Sequence, residues 1–158
     1  MLEIYLNDHL GGATGGVELV RRAAAAQRGT RNGPELRQLA EEIAADRETL
    51  LAIMRRLDVP VRLYKVGAGW AAEKVGRLKL NGAWVGRSPL SSVVELEGLL
   101  VGVNGKAALW RTLRGLADAD PRLDAAELDG LMRRADDQLK RIEDLRLVTS
   151  LDVFGSAP

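Results

Sequence analysis

No cysteine occurs in the chain, so disulfides, thiolate metal sites and thiol nucleophiles are excluded. Histidine is nearly absent as well: His9 stands alone, which rules out any centre built from several imidazoles. Its nearest acid, Asp8, is its immediate neighbour and diverges from it on a helix, so no nucleophile–base–acid arrangement is available. No apolar run approaches the roughly 20 residues of a membrane span. The net charge of the 158 residues is only +1, too small for a global pull toward nucleic acid or membrane. Acids stand in MLEIYLNDHL where a secretion signal needs Lys or Arg, so the expected location is cytoplasmic. Prolines number five, and none falls inside a periodic segment.

Those few prolines punctuate what is present. Pro34, Pro89 and Pro121 each suit the first position of a helix, where a missing N–H costs nothing. Gly33, Ser88 and Asp120 before them are acceptable N-caps. Pro60 ends the helix before it. Four amphipathic segments result. Helix A spans 2–28, with Leu6, Leu10, Ala13, Val17, Val20 and Ala24 inward; helix B spans 34–58, with Leu36, Leu39, Ile43, Leu50, Met54 and Leu57. Helix C spans 89–117, with Leu90, Val93, Val94, Leu100, Val101 and Ala108; helix D spans 121–153, with Leu128, Leu131, Ala135, Leu139, Ile142 and Leu145. At ~1.5 Å per residue each is roughly 35–45 Å long, and helices of matched length bury their stripes best as a bundle. The expected fold is one all-α domain over 1–158, two antiparallel hairpins joined by a crossover at 59–88. Within that crossover, 70–80 reads as a short helix closed by Asn81-Gly82, although Asn-Gly is also a type I′ hairpin signal.

Around the crossover, residues 61–91 set Arg62, Lys65, Lys74, Arg77, Lys79 and Arg87 against one acid, Glu73. That net +5 leaves −4 for the rest of the chain. Lys65, Trp70, Lys74, Arg77 and Lys79 form the candidate patch for an anionic partner, by phosphate neutralisation and base stacking or by lying on an anionic membrane. The competing reading packs Trp70, Ala71, Val75 and Leu78 on the bundle and leaves the cations solvated or paired with its acids. The second is expected, so neither nucleic acid nor a membrane surface is the expected partner. Trp110, outside the main stripe of helix C, reads as lateral packing or a contact between copies, and a homodimer or other homo-oligomer is expected.

Each helix places one polar group on or beside its stripe: His9, Asp46, Glu97 and Gln138, with Asn104 one heptad after Glu97. Glu97 is nearest the centre of its stripe, and a buried carboxylate is costly unless paired or protonated. Arg47, on the inward flank of helix B, is its expected partner; a metal or catalytic role is the competing reading. If helices B and C are parallel, Asp46, Glu97 and Gln138 fall within about two turns of one another near mid-bundle. Glu42 and Asp46 stand four apart and line one flank of helix B. Helix A also carries Gly11, Gly12, Gly15 and Gly16, and helix C carries Gly98, Gly102 and Gly105. These read as places where another backbone approaches closely. GGATGG is followed by no Lys-Ser or Lys-Thr and preceded by no strand, as a phosphate loop would require.

Two antiparallel helix pairs joined by a long crossover resemble the ferritin-like superfamily. The phrases LNDHLGGATGGVEL, EEIAADRETLLAIM and AEKVGRLKLNG are also similar to uncharacterised helical proteins of high-GC actinobacteria. Di-iron members of the superfamily use one Glu from each of two helices and a Glu-x-x-His pair from each of the other two. This chain has no histidine on helix B or D, so the resemblance implies the fold without the full ligand set. The expectation is a structural, stress-associated or protein-interaction module, with no cofactor. The competing expectation is a carboxylate-rich iron or manganese site held by Glu97, Asp46, Glu42 and His9.

Overall fold

A computed structural model describes residues 1–62 and 88–155. Within them lie four long helices, α1 (Leu2–Ala26), α2 (Gly33–Arg56), α3 (Pro89–Leu116) and α4 (Ala125–Phe154), and no strand. The helix or hairpin expected at 70–82 lies outside the described residues. None of the helices is long and apolar enough to cross a membrane.

Local chemistry sets the helix ends. A Cβ on Gly33 would lie 2.5 Å from the carbonyl oxygen of Gln27, so the tight turn into α2 requires glycine there. At the other end, Asp58 adopts φ 55°, its N–H donates to Arg55 O at 3.1 Å, and the Val59 N–H donates to Met54 O at 2.9 Å. That is a Schellman stop with Asp in the usual glycine position, and Pro60 prevents any continuation. Helix α4 begins at Ala125, four residues after the expected start at Pro121. Asp120 cannot cap it, because its carboxylate accepts the Arg122 N–H at 3.0 Å and the Arg122 guanidinium at 2.7 Å. Those bonds hold the Asp120 carboxyl down to about 2. Asp124 caps instead, accepting from the Ala126 and Glu127 N–H groups at 2.8 and 3.1 Å.

Cross-helix bonds fix the direction of each element. Asn7 Nδ2 donates to Pro60 O at 3.0 Å and Arg47 Nε to Thr14 at 3.0 Å, so α1 and α2 are antiparallel. Arg111–Asp136 and Arg114–Asp129 do the same for α3 and α4, and Arg22–Glu95 with Tyr5–Thr112 for α1 and α3. Helices α2 and α3 are therefore parallel and diagonal to each other. The backbones approach most closely at α3/α4, α1/α2 and α1/α3. The remaining seam, α2/α4, is bridged by longer polar side chains, from Asn32–Thr149 at one end to Arg56–Glu127 at the other.

The core follows the expected stripes on α1, α2 and α4, with Leu6, Leu10, Leu36, Leu39, Leu50, Met54, Leu128 and Ile142 essentially inaccessible. On α3 the expected stripe is largely out of phase, with Val93 its one fully buried member. The buried apolar set is Val93, Leu96, Leu99, Val103, Ala107, Leu109, Trp110 and Leu113, whereas Val101 and Ala108 are exposed. This helix is apolar on more than one side, so hydrophobic spacing alone does not choose its inward face. Trp110, at 1% exposure, is in the centre of the core rather than on a lateral surface. Four of the glycines expected at close crossings have open space beside them. A Cβ on Gly12, Gly16, Gly102 or Gly105 would meet no atom within 4 Å among the described residues, so these do not mark close helix crossings. Gly98 on α3 does sit near a neighbour, with Leu19 Cδ2 3.2 Å from its would-be Cβ.

Candidate functional site

The largest departure from an apolar interior is a cluster of charge between α2, α3 and α4. Asp46 is buried because it falls between Ile43 and Leu50 on the inward stripe of α2. At 2% exposure its carboxylate accepts from the Lys106 ammonium, the Arg134 guanidinium and, at 3.2 Å, the Gln138 amide. Gln138, fully buried on α4, also accepts from Lys106 and donates to Glu42 at 3.2 Å. One turn along α4, Arg141 donates to both oxygens of Glu42 at 2.9 Å, to Glu35 at 2.5 Å and to Asp137 at 3.1 Å. The cluster is thus a continuous chain of charge-assisted hydrogen bonds along the α2/α4 seam.

Electrostatics within the cluster favour the ionised forms of Glu42 and Arg141. Burial alone would raise the Glu42 carboxyl, but hydrogen bonds from Arg141, Gln138 and Gln38 outweigh it and hold the group below its ordinary value. Burial likewise works against the Arg141 guanidinium, yet Glu35, Glu42 and Asp137 together raise it. For Lys106 burial dominates and lowers the ammonium, with Asp46 offsetting part of that. Lys106 reaches the interior from the flank of the buried Val103–Ala107–Trp110 stripe.

The other residues singled out by sequence are dispersed. Glu97 is exposed, near Arg146, and is not an interior carboxylate; the phase of α3 turns it to solvent. The buried glutamate is Glu95, two residues earlier, paired with Arg22 at 3.2 Å. Arg47 does not meet Glu97 but bonds Thr14 and Glu48, at 3.0 and 2.6 Å. Asn104 is exposed, its amide donating to Leu100 O one turn back at 2.9 Å. His9 packs edge-on against Tyr5, ring centroids 4.5 Å apart, on the α1/α3 side and away from Asp46. Burial lowers its pKa, with Asp8 offsetting part of the shift. Lys65, Trp70, Lys74, Arg77 and Lys79 lie outside the described residues. A further buried amide, Asn7, escaped the sequence reading: it accepts the Arg62 N–H at 2.7 Å and clasps the chain leaving α2. No sequence signal marks Asn7 apart from its position one residue beyond Leu6.

Glu97→Ala should change stability by no more than about 0.5 kcal/mol in urea denaturation, the range for surface substitutions. Glu95→Ala should cost more, about 1–2 kcal/mol, because it removes a charge-assisted hydrogen bond made by a buried carboxylate. A larger effect at 97 than at 95 would contradict the helix orientation.

The donor set does not fit the metal centre of the ferritin-like pattern. Among the described residues no group of three His, Cys, Asp or Glu is arranged to hold a metal ion. Around Asp46, the acceptor atoms a divalent ion would need are directed at an ammonium and a guanidinium. A dication there would sit against two cations. The arrangement can neutralise buried carboxylates and fix helix positions; it offers no open coordination position. Comparisons with protein-family models, curated proteins and solved structures found no match to this chain.

Proposed function

We propose that this chain is a ferritin-like bundle in which interior ion pairs stand where the superfamily keeps metal, and that it works as a cytoplasmic structural, stress-associated or protein-interaction module. The observation that carries the reading is the occupancy of Asp46 and Glu42. Their oxygens accept from Lys106, Arg134, Gln138 and Arg141. The parallel course of α2 and α3, which a long crossover between two hairpins produces, supports the ferritin-like part.

Metal titration tests it. With Fe(II) or Mn(II), under anaerobic conditions, calorimetry should show no stoichiometric binding, and the melting temperature should not move. Tight one- or two-equivalent binding that is lost in Asp46→Asn or Glu42→Gln would overturn the reading in favour of a carboxylate metal site. A ligand that binds the folded state in preference to the unfolded chain raises apparent stability, so the melting temperature is an independent readout.

A further inference from the structure

Two surfaces of the bundle have no partner among the described residues. The first is an open groove of about 430 Å³ between the second half of α1 and the first half of α2. Its floor is small and apolar, made by Ala24, Ala25, Ala40 and Ala44, and its rim carries Arg21, Arg28 and Arg37 with one acid, Glu41. All three arginines are exposed, and none is in an ion pair among the described residues. The second surface is the outer ridge of α4. There Leu147, Leu151 and Phe154, at spacings of four and three, are 48%, 71% and 58% exposed, and Asp144 precedes them by one turn on the same line.

We infer that the ridge of one copy docks into the groove of another. The sizes agree: Leu147 to Phe154 covers about 10.5 Å of helix, as does Arg21 to Arg28 along the groove. Large side chains against an alanine floor let two helices approach closely, as in helix-in-groove recognition. Charge selects the direction. When the incoming helix runs parallel to α2, Asp144 reaches the Arg28 end and Phe154 lies under Arg21, where a guanidinium can stack on the ring. Reversed, Asp144 would meet Glu41. Groove and ridge occupy different faces, so the contact is heterologous, and each dimer still offers one free groove and one free ridge. A contact made by three apolar side chains and one ion pair is of the small, transient kind, so association is weak and concentration-dependent.

This inference rests on the protein-interaction reading and gives it a partner, a second copy of the chain. Sedimentation velocity over a concentration series tests it, using wild type, a groove variant (R21E/R28E/R37E) and a ridge variant (L147E/L151E). All substituted positions are exposed or at the groove rim, and circular dichroism checks that each variant folds. Wild type should gain mass with concentration, and at low salt more than at high salt. Each variant alone should stay monomeric. An equimolar mixture should form a one-to-one heterodimer and stop there, since one intact groove meets one intact ridge. A wild type that stays monomeric overturns the inference, as does self-association of either variant or a mixture that stays monomeric. Self-association of the groove variant would indicate a ridge-to-ridge contact. Binding of the groove to an acidic helical peptide or to anionic vesicles, with no self-association, would assign it another occupant. The metal titration is unaffected by all of these outcomes, so failure here and failure of the broader reading are distinguishable.

Discussion

Asp46→Ala is expected to destabilise the protein by about 3–5 kcal/mol, the cost of stranding buried charge when one partner of a buried ion pair is removed. Three groups lose an acceptor together: Lys106, Arg134 and Gln138. Their losses differ. Arg134 is 38% exposed at its side chain and can turn to water, whereas Lys106 is 12% exposed and has only the Gln138 oxygen left. Most of the cost therefore belongs to Lys106. Asp46→Asn keeps the shape and removes the charge, and should recover little of it. Pairing Asp46→Leu with Lys106→Met should recover most, because it removes both charges and leaves an apolar contact. Urea denaturation of the four proteins is the check. If Asp46→Ala alone costs less than about 1 kcal/mol, the carboxylate is not held in the interior as described.

The second large effect is expected at Trp110. Its ring is 1% exposed at the centre of the α3 stripe, and truncation of a buried aromatic to alanine costs about 3–5 kcal/mol. Trp110→Phe should cost about 1–2 kcal/mol, since it leaves a smaller cavity and removes an indole N–H that has no hydrogen-bond partner among the described residues. Thermal and urea unfolding should agree on that order. An alanine variant of near wild-type stability would place the ring on the surface, as a contact between copies requires.

Where proline, apolar period and capping residues agree, the fold is legible in the sequence. Pro34 and Pro89 mark two helix starts to within a residue, and the stripes of α1, α2 and α4 give the core directly. Asp120 and Pro121 resemble a cap and first turn, but Arg122 takes the Asp120 carboxylate, so α4 starts later than they suggest. Asp124, with Ala-Ala-Glu after it, was the better signal. On α3 the run Leu99-Leu100-Val101-Gly102-Val103 presents two apolar faces. Placing Glu97, Gly98, Asn104 and Gly105 outward would have selected the right one. That single choice decides the candidate site, since it turns Glu97 to solvent and brings Lys106 to the seam. Asp46 and Gln138 stood out because each is a polar residue at an inward position; their shared cation did not, because a lysine on the flank of a stripe ordinarily reaches back to water.

The α2/α4 seam also constrains alignment. At the other three seams Leu, Val and Ala predominate, and apart from the Arg22–Glu95 pair a helix displaced by one turn, about 5.4 Å, would still find apolar neighbours. Along α2 and α4 the same displacement would set an amide where Arg134 belongs and separate Arg141 from Glu35. A buried carboxylate left with an incomplete set of donors is penalised by several kcal/mol, far more than an aliphatic contact traded for a similar one. The polar seam therefore raises the energy of misaligned bundles more than it deepens the native one. An all-apolar replacement would bind more tightly and choose its register less strictly.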